Sequence, residues 1–128
     1  MSEKSEVIRY TGIKRIYRAF INSFSGFLWM FKHEAAFRQE AVLFCLLMPV
    51  VAILDVSILN KVALVCAILQ VLLIETLNTG LEAIVDRVGT EYHELSGLAK
   101  DCGSAAVFIS FSIAILIWAG VLVNAYVL

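Results

Sequence analysis

Proline occurs once in the 128 residues and histidine twice, and only 16% of the chain is charged against 61% hydrophobic. A water-soluble domain of this length has no interior large enough to bury so much apolar surface. That excludes an ordinary soluble globule and makes lipid part of the solvent. Pro49 alone interrupts the run of helix-compatible residues, and it removes one backbone hydrogen bond where it stands. Cys45, Cys66 and Cys102 are odd in number and far apart, so neither a disulfide framework nor a metal-ligand spacing follows. The glycines form no G-x-x-x-x-G-K-[ST] and no G-x-G-x-x-G, which excludes a P-loop and a Rossmann turn. His33-Glu34 begins like a zinc-protease motif, but Phe37 stands where the second histidine belongs. No Ser/His/Asp arrangement is legible, and residues 102–128 carry no charge at all.

What is present reads as an all-α membrane protein in a single domain, 1–128. Three apolar stretches reach the roughly 20 residues a bilayer span needs once their flanks are included. The first has its core at 41–54 and extends back to 34 if Arg38 and Glu40 snorkel or face protein. The second has its core at 62–74 and continues along an acidic face to Val85. The predicted transmembrane helices are 34–54, 58–85 and 97–126. Lys4, Arg9, Lys14, Arg15, Arg18, Lys32 and Arg38 all precede the first apolar run, a bias that places the N-terminus in the cytoplasm. The link 55–61 is then a tight outer turn and the polar link 87–100 returns to the cytoplasm.

The first 33 residues lack the compact apolar segment and cleavage site of a signal peptide. Ile13, Ile16, Tyr17, Phe20, Phe24, Phe27 and Phe31 instead fall along one side of a helix, with Lys14, Arg15, Arg18 and Asn22 roughly opposite. This pattern predicts an amphipathic helix over 8–31 lying on the inner leaflet. It serves as an anchor alone, or as an anchor that also forms part of a site.

Glu75 and Glu82 lie at the end of the long second apolar run. A carboxylate at bilayer depth costs several kcal/mol unless it is paired, solvated or metal-bound, which makes it a functional-site candidate. At about 100° per residue, Glu75, Asn78, Thr79, Glu82 and Asp86 share one arc of a helix. Glu34, Glu82, Asp86, Lys100 and Asp101 all map to the predicted inner ends of the spans. Hard carboxylate oxygens suit Mg²⁺, which takes one or two of them together with phosphate and water. A lysine suits phosphate, and a deeper acid suits a substrate arriving from the lipid. Phosphoryl transfer needs positioning, a metal and a base more than elaborate covalent chemistry. The inventory fits a kinase of a membrane-dissolved alcohol, although on spacing alone Lys100 and Asp101 equally suit a snorkelling pair.

The segments Glu34-Ala35-Ala36-Phe37-Arg38-Gln39-Glu40, Glu75-Thr76-Leu77-Asn78 with Glu82-Ala83-Ile84-Val85-Asp86-Arg87, and Glu91-Tyr92-His93-Glu94-Leu95-Ser96-Gly97 running into Ala99-Lys100-Asp101 and Gly103-Ser104-Ala105-Ala106 resemble the small bacterial integral-membrane diacylglycerol kinases. The resemblance extends from Thr11 onward. It implies a homotrimeric helical bundle in the bacterial inner membrane, with three transmembrane helices and a surface helix per chain. The implied activity is transfer of the ATP γ-phosphate to diacylglycerol, giving phosphatidic acid, with Mg²⁺ as cofactor. The implied partners are ATP, diacylglycerol, membrane lipids and copies of the chain itself, with no nucleic acid.

By the same resemblance Glu75 matches the general base and Asn78 a positioning residue beside it. Glu34 and Glu82 match the metal-binding acids. Arg15, Asn22, Glu91, Tyr92, His93, Lys100 and Asp101 match nucleotide contacts. Arg15, Ala19, Ser23, Phe24, Ala36, Arg38, Glu40, Ser104 and Trp118 match the lipid path that ends at Glu75. The surface helix departs from the family pattern, with Asn22 where tyrosine is frequent, Phe24 where tryptophan is frequent and Phe20 in place of a small residue. Two other readings stand beside diacylglycerol kinase. One is a kinase of a polyprenol such as undecaprenol. The other is a non-catalytic oligomeric channel using Glu75, which accounts for one intramembrane acid but not for Asn78, Glu82, Lys100 and Asp101 at one depth.

Overall fold

The computed structural model describes residues 9–128. Residue 8, where the surface helix was expected to begin, and Lys4 of the basic segment lie outside the described residues. The described residues form four α-helices and no strand: α1 Gly12–His33, α2 Ala35–Ile53, α3 Ile58–Val88 and α4 Glu94–Tyr126. The last three are long and apolar enough to cross a membrane. The chain divides into two compact units, one ending at Glu34 and the other beginning at Ala35.

In the first unit, α1 opens on Gly12, whose φ of 62° lies in the left-handed region that glycine alone adopts without strain. Arg18 lies over the Tyr10 ring, 5.0 Å from its centroid, a cation–π contact at the helix start. Helix α1 is exposed nearly all round, Ile13, Ile16, Phe20 and Phe24 as well as Lys14, Arg15 and Arg18, which leaves its apolar side available to lipid. At the other end the His33 ring stacks on Trp29 and its Nδ1 meets the Trp29 carbonyl at 2.8 Å. Lys32 and His33 in the last turn complement the helix dipole, and Glu34 breaks the helix by turning extended.

In the second unit α3 is central, packing most extensively on α4 and next on α2. Its buried residues Leu64, Ala67, Ile68, Val71 and Glu75 recur at the three- and four-residue spacing of one helix face. The apolar seam therefore ends on the acid. Four contacts set α4 antiparallel to α3. Trp118 Nε1 donates to the Leu64 carbonyl at 3.2 Å, and Gln70 Nε2 donates to the Ser110 carbonyl at 2.6 Å. Further along, Gly103 faces Asn78 and Lys100 reaches Asp86.

At the α2–α3 turn, Ser57 caps α3 by accepting from the Asn60 N–H, and Lys61 donates to the Ala52 carbonyl at 2.7 Å, closing the end of α2. The Asp55 N–H donates to the Tyr126 hydroxyl at 3.3 Å, tying the end of α4 to the same turn. Pro49 stands inside α2, which continues past it to Ile53. Helix α4 begins at Glu94, three residues before the position read from the sequence, because the His93 ring accepts from the Leu95 N–H and caps it.

Candidate functional site

The stripe that forms the core of α3 continues beyond Val71 as Glu75, Asn78 and Glu82. Burial falls along it: Glu75 is 8% exposed, Asn78 and Glu82 are half-buried, and Asp86 is exposed. One helix face thus carries polar groups from protein interior to solvent in steps of one turn. Asn78 Nδ2 donates to Glu82 Oε1 at 3.2 Å, the i to i+4 reach of a helix, and so orients that carboxylate. The Asn78 Oδ1 is buried without a hydrogen-bond partner and is directed at Gly103 of α4.

Glu40, on α2, is the second buried acid, 8% exposed, and its Oε2 is likewise buried without a hydrogen-bond partner. Glu40 and Glu75 line one cleft of about 410 Å³ with Ala36, Leu43 and Phe111. Glu40, Leu43 and Phe111 also line an apolar groove of about 180 Å³ that runs past Ile68 and Val71 to Trp118. An acid pair at the head of an apolar groove suits a molecule with one polar end and a long hydrocarbon body.

On the solvent side Lys100 Nζ forms an ion pair with Asp86 Oδ1 at 2.7 Å. The sequence pairs Lys100 with Asp101, but adjacent residues diverge by about 100° on a helix. The structure turns the lysine toward α3 and leaves Asp101 exposed. A further cleft of about 670 Å³ lies against the α3–α4 link, lined by Val85, Glu91, Tyr92, His93 and Ser96. Tyr92 is 90% exposed there, and His93 has its Nδ1 committed to the α4 cap, which leaves Nε2 for any ligand.

The second unit therefore gathers Ala36, Glu40, Glu75 and Trp118 around connected apolar clefts, and Asn78, Glu82, Asp86 and Lys100 along the α3–α4 seam. Arg38 is half-buried on α2, and Ser104 is exposed on α4. Arg15, Ala19, Asn22, Ser23 and Phe24 are exposed on α1, and Glu34 is half-buried at its end, all in the first unit. Gly103 as the surface beneath Asn78 is an addition to the residues read from the sequence, and so is the pairing of Lys100 with Asp86, an acid the sequence had already put on the same face. The available signal for Gly103 was its position three residues after Lys100, on the same face of α4.

No three His, Cys, Asp or Glu side chains gather into a metal cage among the described residues. The donors on this face are hard oxygens. Glu82, oriented by Asn78 and reaching toward solvent, fits an ion that takes one or two protein carboxylates and completes its shell with phosphate and water.

A family model described as prokaryotic diacylglycerol kinase matches residues 21–122. The diacylglycerol kinase of Escherichia coli is 45% identical over 108 residues, covering 84% of this chain and 88% of that protein. That of Pseudomonas aeruginosa is 45% identical over 114 residues, with 89% and 93% covered. That of Haemophilus influenzae is 41% identical over 112 residues, with 88% and 95% covered.

Proposed function

The chain belongs to the prokaryotic diacylglycerol kinase family, and from that premise we propose how its own residues carry phosphate from ATP to the lipid. The reaction is the ATP-dependent phosphorylation of diacylglycerol to phosphatidic acid in a membrane. The lipid hydroxyl oxygen bonds to the γ-phosphorus as the bond from that phosphorus to the bridging oxygen breaks. ADP leaves with that electron pair, and the hydroxyl proton passes to the Glu75 carboxylate. Glu75 is the general base in this assignment because it is the acid that meets both the lipid cleft and the polar stripe of α3.

The lipid lies with a hydrocarbon chain along Leu43, Phe111 and Trp118 and its hydroxyl between Glu40 and Glu75. By the family resemblance Arg38, Ala36 and Ser104, and Ala19, Ser23, Phe24 and Arg15 of α1, are assigned to the lipid path. On the nucleotide side Lys100 holds a phosphate and Asp101 contacts the nucleotide elsewhere, Glu91, Tyr92 and His93 form the cleft against it, and Arg15 and Asn22 are assigned to it by the family resemblance. Glu34 and Glu82 would hold Mg²⁺, which when bound neutralises charge on the phosphates.

We place this site in a homotrimer of the inner membrane with the N-terminus cytoplasmic. Phe108 and Leu116 of α4 are exposed in the single chain, and Ser104, Ala105 and Ala106 offer the small surface at which membrane helices approach closely. A site completed by a second copy follows from so open a set of walls. The observation that carries the whole assignment is the α3 stripe, whose core positions become Glu75, Asn78 and Glu82 without changing face.

The test is transfer of labelled γ-phosphate from Mg-ATP to diacylglycerol, and in parallel to undecaprenol, in mixed micelles by wild type and Glu75→Gln. The expected result is diacylglycerol phosphorylation that the substitution lowers by at least roughly a hundredfold, as loss of a general base does. Undiminished transfer by Glu75→Gln would remove Glu75 from the base role, and a preference for undecaprenol would reassign the groove.

A further inference from the structure

Gly103 is buried in the interior of α4, where glycine is a poor helix former relative to alanine. Its backbone is not the reason for it. Among the described residues Gly12 is the one glycine in the left-handed region, and Gly103 sits in ordinary helical conformation that any residue adopts. Space is the reason. A Cβ built at Gly103 would collide with Asn78 Oδ1 and stand 3.1 Å from Asn78 Cγ, with Leu81 Cδ2 at an ordinary 3.8 Å. The obstruction is thus specific to the Asn78 amide.

That amide has little room to retreat. Its Nδ2 is held by the Glu82 carboxylate, and its Oδ1 is already buried without a hydrogen-bond partner. Turning the amide away from a new methyl group would break the bond to Glu82. Moving α4 outward instead would shift Lys100, three residues away on the same face.

We infer that Gly103 is a positioning residue for phosphoryl transfer: its missing side chain lets Asn78 lie flat against α4, in the orientation that holds the Glu82 carboxylate toward the nucleotide. This rests on the assignment of Glu82 to the Mg-nucleotide side of the reaction, with Asn78 as the residue that orients it. Gly103 touches neither substrate and acts through Asn78 alone. The consequence is selective, because the lipid cleft around Glu40 and Glu75 does not include Gly103.

The experiment combines kinetics with the side-chain amide resonance of Asn78 in ¹⁵N-labelled protein in micelles, assigned by its disappearance in Asn78→Ala. Gly103→Ala is expected to displace that cross-peak and to lower kcat/KM for Mg-ATP roughly ten- to a hundredfold, the scale of a small misplacement at a reacting centre. KM for diacylglycerol should stay within roughly twofold, and in an Asn78→Ala background the second substitution should cost no further activity within roughly twofold. Gly120→Ala, where an added Cβ meets nothing within 4 Å, should leave the cross-peak in place. An unmoved cross-peak in Gly103→Ala, or an equal loss of activity in both backgrounds, overturns the inference. A displaced cross-peak with undiminished kcat/KM keeps the contact but removes Asn78 from the reaction, and the positioning role goes with it. Should Gly103→Ala fail to assemble, the Gly103→Ala/Asn78→Ala double variant is expected to regain assembly because the collision is gone; failure of the double variant overturns the inference as well.

Discussion

Replacing Asp86 by asparagine should make the enzyme slightly better at using ATP. Lys100 is held by Asp86 at 2.7 Å, but the two side chains remain 44% and 64% exposed. Water screens such a pair, so it shifts equilibria by roughly 1.4- to fivefold at most. In the proposed mechanism Lys100 must leave Asp86 to meet a phosphate, and the same aspartate repels the nucleotide's negative charge. Asp86→Asn removes both oppositions, and kcat/KM for Mg-ATP rises by roughly 1.4- to fivefold, the upper figure at low salt. The Debye length falls from about 10 Å at 0.1 M salt to about 3 Å at 1 M, so the long-range part of the gain should disappear across that range. Initial rates against ATP in mixed micelles at low and high salt decide it, with Lys100→Met as the comparison in which the Asp86→Asn gain is reduced to the part that comes from relief of repulsion. A loss greater than roughly tenfold would refute the reasoning, since no screened ion pair accounts for it and Asp86 would have to act on the nucleotide directly.

Two further outcomes follow. Trp118→Phe removes the indole bond to the Leu64 carbonyl while the ring remains, and should destabilise the helix bundle by about 0.6 kcal/mol and by no more than about 1.7, the range for interhelical bonds in membranes; detergent-titrated unfolding measures it. Mixed oligomers of Glu34→Ala chains with Glu75→Ala chains should regain activity that neither has alone, and absence of rescue in verified mixtures would count against a site shared between copies.

Much of this architecture is legible in the sequence, and for a definite reason. The apolar runs that cross the bilayer are properties of consecutive residues, and so is the single face of α3, because a 3.6-residue period places Leu64, Ala67, Ile68, Val71 and Glu75 together without any knowledge of neighbours. What the sequence did not disclose depends on which helix lies opposite. Gln70 donating to Ser110, Lys100 choosing Asp86 over Asp101, and Gly103 making room for Asn78 are all set by the antiparallel register of α3 and α4. No periodicity within one helix encodes that register. The early start of α4 was hidden differently, since a histidine cap is a rarer signal than serine, threonine, aspartate or asparagine. The diacylglycerol kinase assignment is legible in the order and spacing of the blocks from Glu34 to Ala106, and the family match carries it.

Helix α3 spans Ile58–Val88, and at 1.5 Å per residue its numbering is also a depth scale. In the proposed orientation, with Ile58 at the outer edge of the hydrocarbon, Glu75 stands about 26 Å along the axis and Glu82 about 36 Å, on either side of the roughly 30 Å thickness of bilayer hydrocarbon. A lipid that keeps its tails in its own leaflet presents its hydroxyl at just that boundary. The water-borne reactant meets it there without entering oil, and the lipid without leaving it. In the proposed mechanism two substances that share no solvent are brought to one plane by the length of a helix.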